Sequence, residues 1–350
     1  MAQRADMAAP APLAGARAPD PANGRPGRHG ARTYAALDLG TNNCRLLIAR
    51  PEGDGFVVVD AFSRIVRLGE GLAASGRLSD AAMDRAVSAL SVCADKLRRR
   101  HVSLVRSVAT EACRRATNGG EFVRRVYDET GIALEVITAE QEARLAVLGC
   151  HALLEPGEGP ALVFDIGGGS TELVLLDTAH ATPKVVDWFS APWGVVSLTE
   201  SEPHDVRDKV ACGAAYDRMR ARVRQAFTAF AERALPPGDR PRRLLGTSGT
   251  VTTLASLHLD LPCYDRRAVD GLIVPAAAMR GISTRLSGMT VPERATLPCI
   301  GQERADLVVA GCAILETILD LWPADRLGVA DRGIREGILR SLMARDRLIR

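Results

Sequence analysis

The chain has 350 residues, 47% hydrophobic and 25% charged, with 45 Lys and Arg against 42 Asp and Glu, for a formal net charge of +3. That composition excludes a wholly disordered or fibrous chain and leaves room for about two domains with their own cores. Five arginines and two aspartates within residues 1–32 supply the whole surplus; the remainder is neutral, which argues against broad electrostatic binding to nucleic acid or an anionic membrane.

No stretch approaches the ~20 apolar residues of a membrane span, and the Ala/Pro run from Met7 to Ala16 is too weakly hydrophobic for a signal peptide. The chain therefore reads as cytoplasmic. Its eight cysteines lack Cys-x-x-Cys pairs and metal-ligand spacing to histidine, so they read as free thiols in a reducing compartment.

Residues 1–32, rich in Ala, Pro, Gly and Arg, read as a disordered tail because they offer little apolar surface to offset the entropy of ordering. Order begins with three short strands, Tyr34–Leu37, Cys44–Ala49 and Phe56–Val59, separated by turns. From Ser79 the period changes: Met83, Val87, Leu90, Ala94 and Leu97 mark one face of a helix that ends in Arg98–Arg100. A strand over Val102–Ala109, a helix over Glu121–Thr130 and a strand over Ile132–Ile137 follow. Thr138-Ala-Glu-Gln141 has the form of a capping box, which predicts a helix from Thr138 to about Leu154. Pro156–Pro160 reads as a linker.

The pattern then restarts with strands at Ala161–Phe164 and Leu173–Leu176. Helices follow over about Asp205–Leu235, Thr250–Leu257, Gln302–Leu319 and Arg332–Arg345, with strands near Arg243–Leu245 and Leu327–Val329. The fold class is α/β in two halves: domain I over 33–140, with a C-terminal helix of about 336–350 packing back on it, and domain II over 141–335.

Each half opens on the same local design. Ala36-Leu-Asp38-Leu-Gly40-Thr41-Asn42-Asn43 and Phe164-Asp165-Ile-Gly167-Gly168-Gly169-Ser170-Thr171-Glu172 each run from an apolar strand through Asp-x-Gly and small polar residues into another strand. Glycines that turn successive N–H groups inward, with Ser, Thr or Asn as extra donors, make a concave nest for phosphate oxygens. An aspartate at the mouth of such a nest suits Mg²⁺, a hard ion that prefers oxygen ligands. Two nests face to face would clamp a chain of phosphates. A third segment, Gly246-Thr247-Ser248-Gly249-Thr250, leads from a strand into a helix whose free N–H groups and dipole suit an anion. No Gly-Lys-Ser/Thr follows any glycine run, and the Gly-x-Gly-x-x-Gly spacing of a dinucleotide site is absent.

Asp38–Arg45, Arg67-Leu-Gly-Glu-Gly71, Ala109–Arg114, Glu140–Arg144, Asp165–Glu172, Gly246–Thr250, Arg304-Ala-Asp306 and Gly333–Gly337 together resemble the exopolyphosphatase/guanosine-pentaphosphate phosphatase family, from about Tyr34 onward. That family belongs to the actin, sugar-kinase and heat-shock-chaperone ATPase superfamily. The resemblance implies two ribonuclease-H-like domains with mixed sheets flanked by helices and a phosphate cleft between them. It also implies a Mg²⁺-dependent hydrolase acting on inorganic polyphosphate, guanosine pentaphosphate, or both.

By the same resemblance Glu142 matches the catalytic glutamate that orients or deprotonates water. Asp165 and Glu172 match acids associated with the metal, Asp38 the acid of the first loop, and Arg45, Arg67 and Arg114 contacts to the phosphate chain. Two departures stand out: Thr41-Asn42-Asn43 replaces a commoner Ser-Asn-Ser, and Ser248 stands where Gly or Ala is usual. The C-terminal helical domain of long family members is not expected here, which bears on processivity. A superfamily kinase and a non-catalytic alarmone-binding sensor stay open as alternatives, as does a homodimer.

Overall fold

The computed structural model describes residues 32–179, 183–234 and 243–346. The disordered-tail reading therefore lies outside the described residues except for Arg32, whose guanidinium sits 3.2 Å from Asp346.

The first sheet is built from β1 (Tyr34–Leu39), β2 (Asn43–Glu52), β3 (Gly55–Ile65), β4 (Leu104–Ala109) and β5 (Glu135–Val136). The second holds β6 (Ala161–Ile166), β7 (Thr171–Asp177), β8 (Lys184–Ala191), β9 (Arg243–Thr247), β10 (Ile273–Pro275) and β11 (Arg326–Ala330). Their orders are β3-β2-β1-β4-β5 and β10-β11-β9-β6-β7-β8. In each, a central strand pairs antiparallel with the next strand in sequence and parallel with a later one: β1 with β2 and β4, β6 with β7 and β9. The duplication legible in the loops is thus a duplication of whole mixed sheets.

Helices of eight or more residues cover the sheets: α1 (Asp80–Arg99), α2 (Gly119–Thr130), α3 (Ala139–Cys150), α4 (Lys209–Ala234), α5 (Gly249–His258), α6 (Ala276–Ser287), α7 (Val308–Leu321) and α8 (Ile334–Arg345). Because both faces are covered, the central strands carry unbroken apolar runs, Tyr34–Leu37 and Ala161–Phe164, nearly inaccessible to solvent. One face of the first sheet packs on α1 and α2 through Leu90, Phe122 and Val126. The other meets α8 through Ile338, Leu339 and Met343. In the second half, α7 is buried along almost its whole length and packs with α4 around Phe227, Phe230 and Trp322.

The passage between the halves differs from the sequence reading in one respect. Pro156–Pro160 is no linker: the Gly159 carbonyl accepts from the Thr178 hydroxyl (2.8 Å) and from Arg243, which also reaches the Glu155 carbonyl, so this turn is tied to the second sheet. The chain crosses through α3, at whose start the two domains are divided in the sequence reading. Leu145 and Ala146 pack on the first sheet, while Ala143, Val147 and Cys150 pack on the second. The capping box at its start is formed, with Gln141 N donating to Thr138 Oγ1 (3.2 Å) and Thr138 N to Gln141 Oε1 (2.9 Å). α3 crosses α8 where Gly149 meets the Gly333 carbonyl and Gly337 meets that of Leu145; a side chain at either glycine would overlap backbone.

Smaller shifts have local causes. β5 shrinks to two residues because it pairs with β4 only at Val108 and Ala109. α7 starts at Val308 rather than Gln302, the preceding residues being drawn into long-range contacts through Asp306 and the Glu303 carbonyl. All eight cysteines are free thiols. No helix of the described residues is long and apolar enough to cross a membrane.

Candidate active site

β1 and β6 end in the same turn. Gly40 N donates to the Asn43 carbonyl and Gly167 N to the Ser170 carbonyl, each at 2.9 Å. Across each hairpin Asp38 stands opposite Arg45, and Asp165 opposite Glu172. Both loops are strapped from behind. The Asn42 carbonyl accepts from Val66 N (2.8 Å) and Arg67 N (3.0 Å), and the Gly168 carbonyl from Val196 N (2.8 Å). The two loops touch: a Cβ on Gly168 would lie 3.0 Å from Asn42 N, and one on Gly169 would lie 2.7 Å from Thr41 Oγ1. Glycine is required there by close approach.

The cleft between the loops is lined by Asp38, Gly40, Thr41, Asn42, Asn43, Arg45, Glu142, Asp165, Gly167, Gly168, Gly169, Ser170, Ser248, Gly249 and Thr250. Fifteen positions scattered over the sequence are thereby brought to one surface. Its volume, mouth included, is about 950 Å³, at the upper end for small-ligand sites.

Six expected residues do not line it. Arg67 spans to the second half, pairing with Asp306 (3.1 Å) and donating to the Glu303 carbonyl (3.2 Å). Arg114 is engaged by acids, as described below. The Thr171 hydroxyl donates to the Trp193 carbonyl (2.7 Å), and that of Thr247 to the Arg332 carbonyl (2.8 Å). Gly246 packs over the Phe164 ring. Glu172 is buried and accepts from Ser190 Oγ (2.9 Å). The third loop also differs from expectation: Ser248 Oγ accepts from Thr250 N and Val251 N, both at 3.1 Å, so two N–H groups of the first turn of α5 are already capped.

One lining residue lacked any signal at the sequence level beyond its place in Arg304-Ala-Asp306. The space beside Gly249 is faced by Arg304 Nη1 at 3.9 Å and Arg45 Nη2 at 4.0 Å. Neither arginine has an ion-pair partner among the described residues. The loop carrying Arg304 is held by buried Arg294, whose Nη1 donates to the Ala305 carbonyl (2.9 Å).

Glu142 lies in the first turn of α3, 6% exposed. Arg114 Nη1 donates to its Oε2 (3.1 Å) and to the Ile137 carbonyl (2.8 Å), while Arg114 Nε donates to Glu111 Oε2 (3.1 Å). Arg114 therefore fixes the orientation of Glu142. Burial, then repulsion from Glu172, raises the Glu142 carboxyl well above its ordinary range, with Arg114 opposing. Asp165 is pushed up to about 7 by burial and then by Glu142. Asp38 and Glu172 are raised as well, burial again leading.

Such a concentration of buried carboxylates needs a cation or protons. The residues fit a divalent ion in one respect: Asp38 Oδ1, Thr41 Oγ1 and Asn42 Oδ1 are buried oxygens without a hydrogen-bond partner. Among the described residues no three His, Cys, Asp or Glu side chains form a metal cage. A held ion would therefore complete its shell with water and phosphate oxygens, as Mg²⁺ commonly does. Asp38 and Asp165 are the lining carboxylates that suit this; Glu172 stands outside the lining.

Comparisons with known proteins converge. The chain is 35% identical over 326 residues to Exopolyphosphatase 2 of Mycobacterium tuberculosis, covering 88% of this chain and 98% of that one. A solved Ppx/GppA family member from Aquifex aeolicus aligns with TM-score 0.73 and 30% identity over 90% of this chain and 98% of the other. An exopolyphosphatase structure from Cytophaga hutchinsonii, 24% identical, shares the fold with TM-score 0.80 over 91% of this chain and all of that one. The model of the Ppx/GppA phosphatase family matches residues 47–346. With its two mixed sheets arranged as in actin-like ATPases, the chain belongs to the Ppx/GppA phosphatase family.

Proposed function

We propose that this protein is a Mg²⁺-dependent hydrolase that removes the terminal phosphate of inorganic polyphosphate, with guanosine pentaphosphate as a second substrate. The observation that carries the reading is the placement of Glu142: a buried carboxylate, fixed by Arg114, on the wall of a cleft made by two touching phosphate-type loops. A raised pKa makes Glu142 a stronger proton acceptor for an attacking water once ionised. Loop N–H groups and the unpaired guanidinium groups of Arg45 and Arg304 hold and orient the phosphate chain, so that most of the rate comes from positioning and electrostatics. Mg²⁺ held at Asp38 and Asp165 would neutralise charge on the phosphoryl oxygens. Inorganic polyphosphate is favoured because, among the described residues, the lining holds no aromatic ring on which a guanine base could stack.

The test is phosphate release from polyphosphates of defined length and from guanosine pentaphosphate, with and without Mg²⁺. Glu142→Gln is expected to lose about 10²–10⁴-fold in kcat with the fold retained. Near-wild-type turnover in that variant would remove Glu142 from the chemistry, and release that needs an acceptor would favour a kinase.

A further inference from the structure

Behind the carboxylate wall lies a second cavity, reached from the ends of β1, β6 and β9 and closed by the start of α8. It shares Asp38, Arg45, Asp165, Ser248 and Ile334 with the cleft, so the two spaces are separated by little more than these side chains. Its volume is about 380 Å³, mouth included, at the lower end for small-ligand sites.

Arg335 distinguishes this cavity. Its neighbours are spoken for: Arg332 Nε is 2.7 Å from Asp270, Arg266 pairs with Asp331 (3.1 Å) and Glu336 (2.9 Å), and Glu336 also accepts from Gly333 N (2.9 Å). Arg335 itself has neither a hydrogen bond nor an ion pair among the described residues. Burial lowers its pKa and nearby Arg45 adds to that, with Glu336, Asp38 and Asp331 opposing, so its charge is offset by neighbouring acids without being paired directly to any of them. Arg335 is partly exposed to this cavity; a guanidinium with no direct partner is stabilised by an anion, and its planar fork matches two phosphate oxygens.

The reaction proposed above leaves an anion beside this wall. Water oxygen bonds to the terminal phosphorus as one of its protons passes to ionised Glu142, the bridging P–O bond breaks, and the bridging oxygen stays with the shortened chain with the bond's electron pair. Orthophosphate is then released beside Asp38 and Asp165, which line both spaces, while the shortened chain still occupies the cleft. We propose that the second cavity is an orthophosphate site, with Arg335 as its anion ligand, that receives the cleaved phosphate from the rear of the cleft. The proposal rests on the hydrolase reading for the origin of the phosphate, while binding at the site is measurable without turnover.

Two measurements test it on the full chain. Calorimetric titration with inorganic phosphate at saturating Mg²⁺, which neutralises Asp38 and Asp165, is expected to show binding that falls about ten- to hundredfold in Arg335→Leu, the loss expected for charge-assisted hydrogen bonds, and that recovers largely in Arg335→Lys. In steady-state hydrolysis, phosphate is expected to lower kcat even at saturating polyphosphate, and Arg335→Leu to abolish that component while KM for polyphosphate moves less than about twofold. Strictly competitive inhibition in the wild type, or phosphate affinity indifferent to both substitutions, overturns the site. Should Arg335→Leu fail to fold, Arg335→Lys carries the comparison, and unchanged inhibition of a reduced kcat would again overturn it. A protein that binds phosphate through Arg335 yet cleaves no phosphoanhydride would refute the hydrolase reading and leave the site standing.

Discussion

Replacing Asp165 by asparagine should make the metal-free protein less sensitive to alkali. The Asp165 carboxyl, at 3.8 in an unfolded chain, is pushed to about 7 in the fold, first by burial and then by Glu142. A carboxyl whose folded pKa is raised stabilises the protein fully below its unfolded pKa, and that stability is lost as pH climbs to the folded value, because the unfolded state then holds fewer protons. At pH 5 the folded group is almost all protonated and the unfolded one mostly ionised, a difference worth about 2–3 kcal/mol; at pH 8 it is close to zero. Glu142 titrates against Asp165, so the part assignable to Asp165 alone is about 1–3 kcal/mol. Asparagine mimics the protonated acid and should flatten this part of the profile. Urea denaturation in chelator at pH 5, 6, 7 and 8 reads the difference directly. With the metal site proposed at Asp165, adding Mg²⁺ at pH 8 should restabilise the wild type much more than the variant, because binding to the folded, ionised carboxylate shifts the equilibrium toward the fold. Parallel pH profiles for the two proteins would refute the reasoning, and equal Mg²⁺ stabilisation would remove Asp165 from the metal site.

Two further substitutions probe close approach. Gly169→Ala would place a methyl 2.7 Å from Thr41 Oγ1 and 2.9 Å from Glu111 Cγ, pushing the phosphate loops apart; a loss of about tenfold or more in kcat/KM is expected from the misplacement, with unchanged circular dichroism, and wild-type kinetics would show that the loops need not touch. Gly337→Ala would drive a methyl into the Leu145 carbonyl at the α3–α8 crossing and should destabilise by about 1–3 kcal/mol in thermal melts. Gly213→Ala, in α4 with nothing within 4 Å of the added methyl, is the control and should stabilise by about 0.5–1 kcal/mol.

The local design of the site was readable because its chemistry is local. Asp38, Gly40 and Asn43 lie within six positions, as do Asp165, Gly167 and Ser170, and the turn each set makes depends on glycine and on the strands either side. β8 was missed. It is a half-exposed edge strand without a clean alternation, stabilised by its pairing with β7. α6 was missed too: its small residues give only a weak apolar stripe, and its burial comes from packing on α5 and α7. Arginine roles were the least legible. Arg45, Arg67, Arg114 and Arg304 all sit in motifs, yet two face the cleft, one bridges the halves and one holds Glu142.

By itself the sequence determined the α/β class, the duplicated phosphate loops, the capped start of α3 and the neutrality of everything beyond residue 32. These follow from periodicity, turn chemistry and composition, which act over a few residues or over the whole sum. Only the tertiary structure decided that α3 packs on both sheets while the Pro/Gly turn after it is tied to the second, and that Arg67 pairs with Asp306 across the halves, outside the cleft lining. It also buried four acids from three segments, Asp38, Glu142 and the Asp165/Glu172 pair of one hairpin, and burial leads the rise in pKa of each. Those outcomes depend on burial and on distances between residues far apart in the chain, and electrostatic energy is set by that spacing and by the exclusion of water.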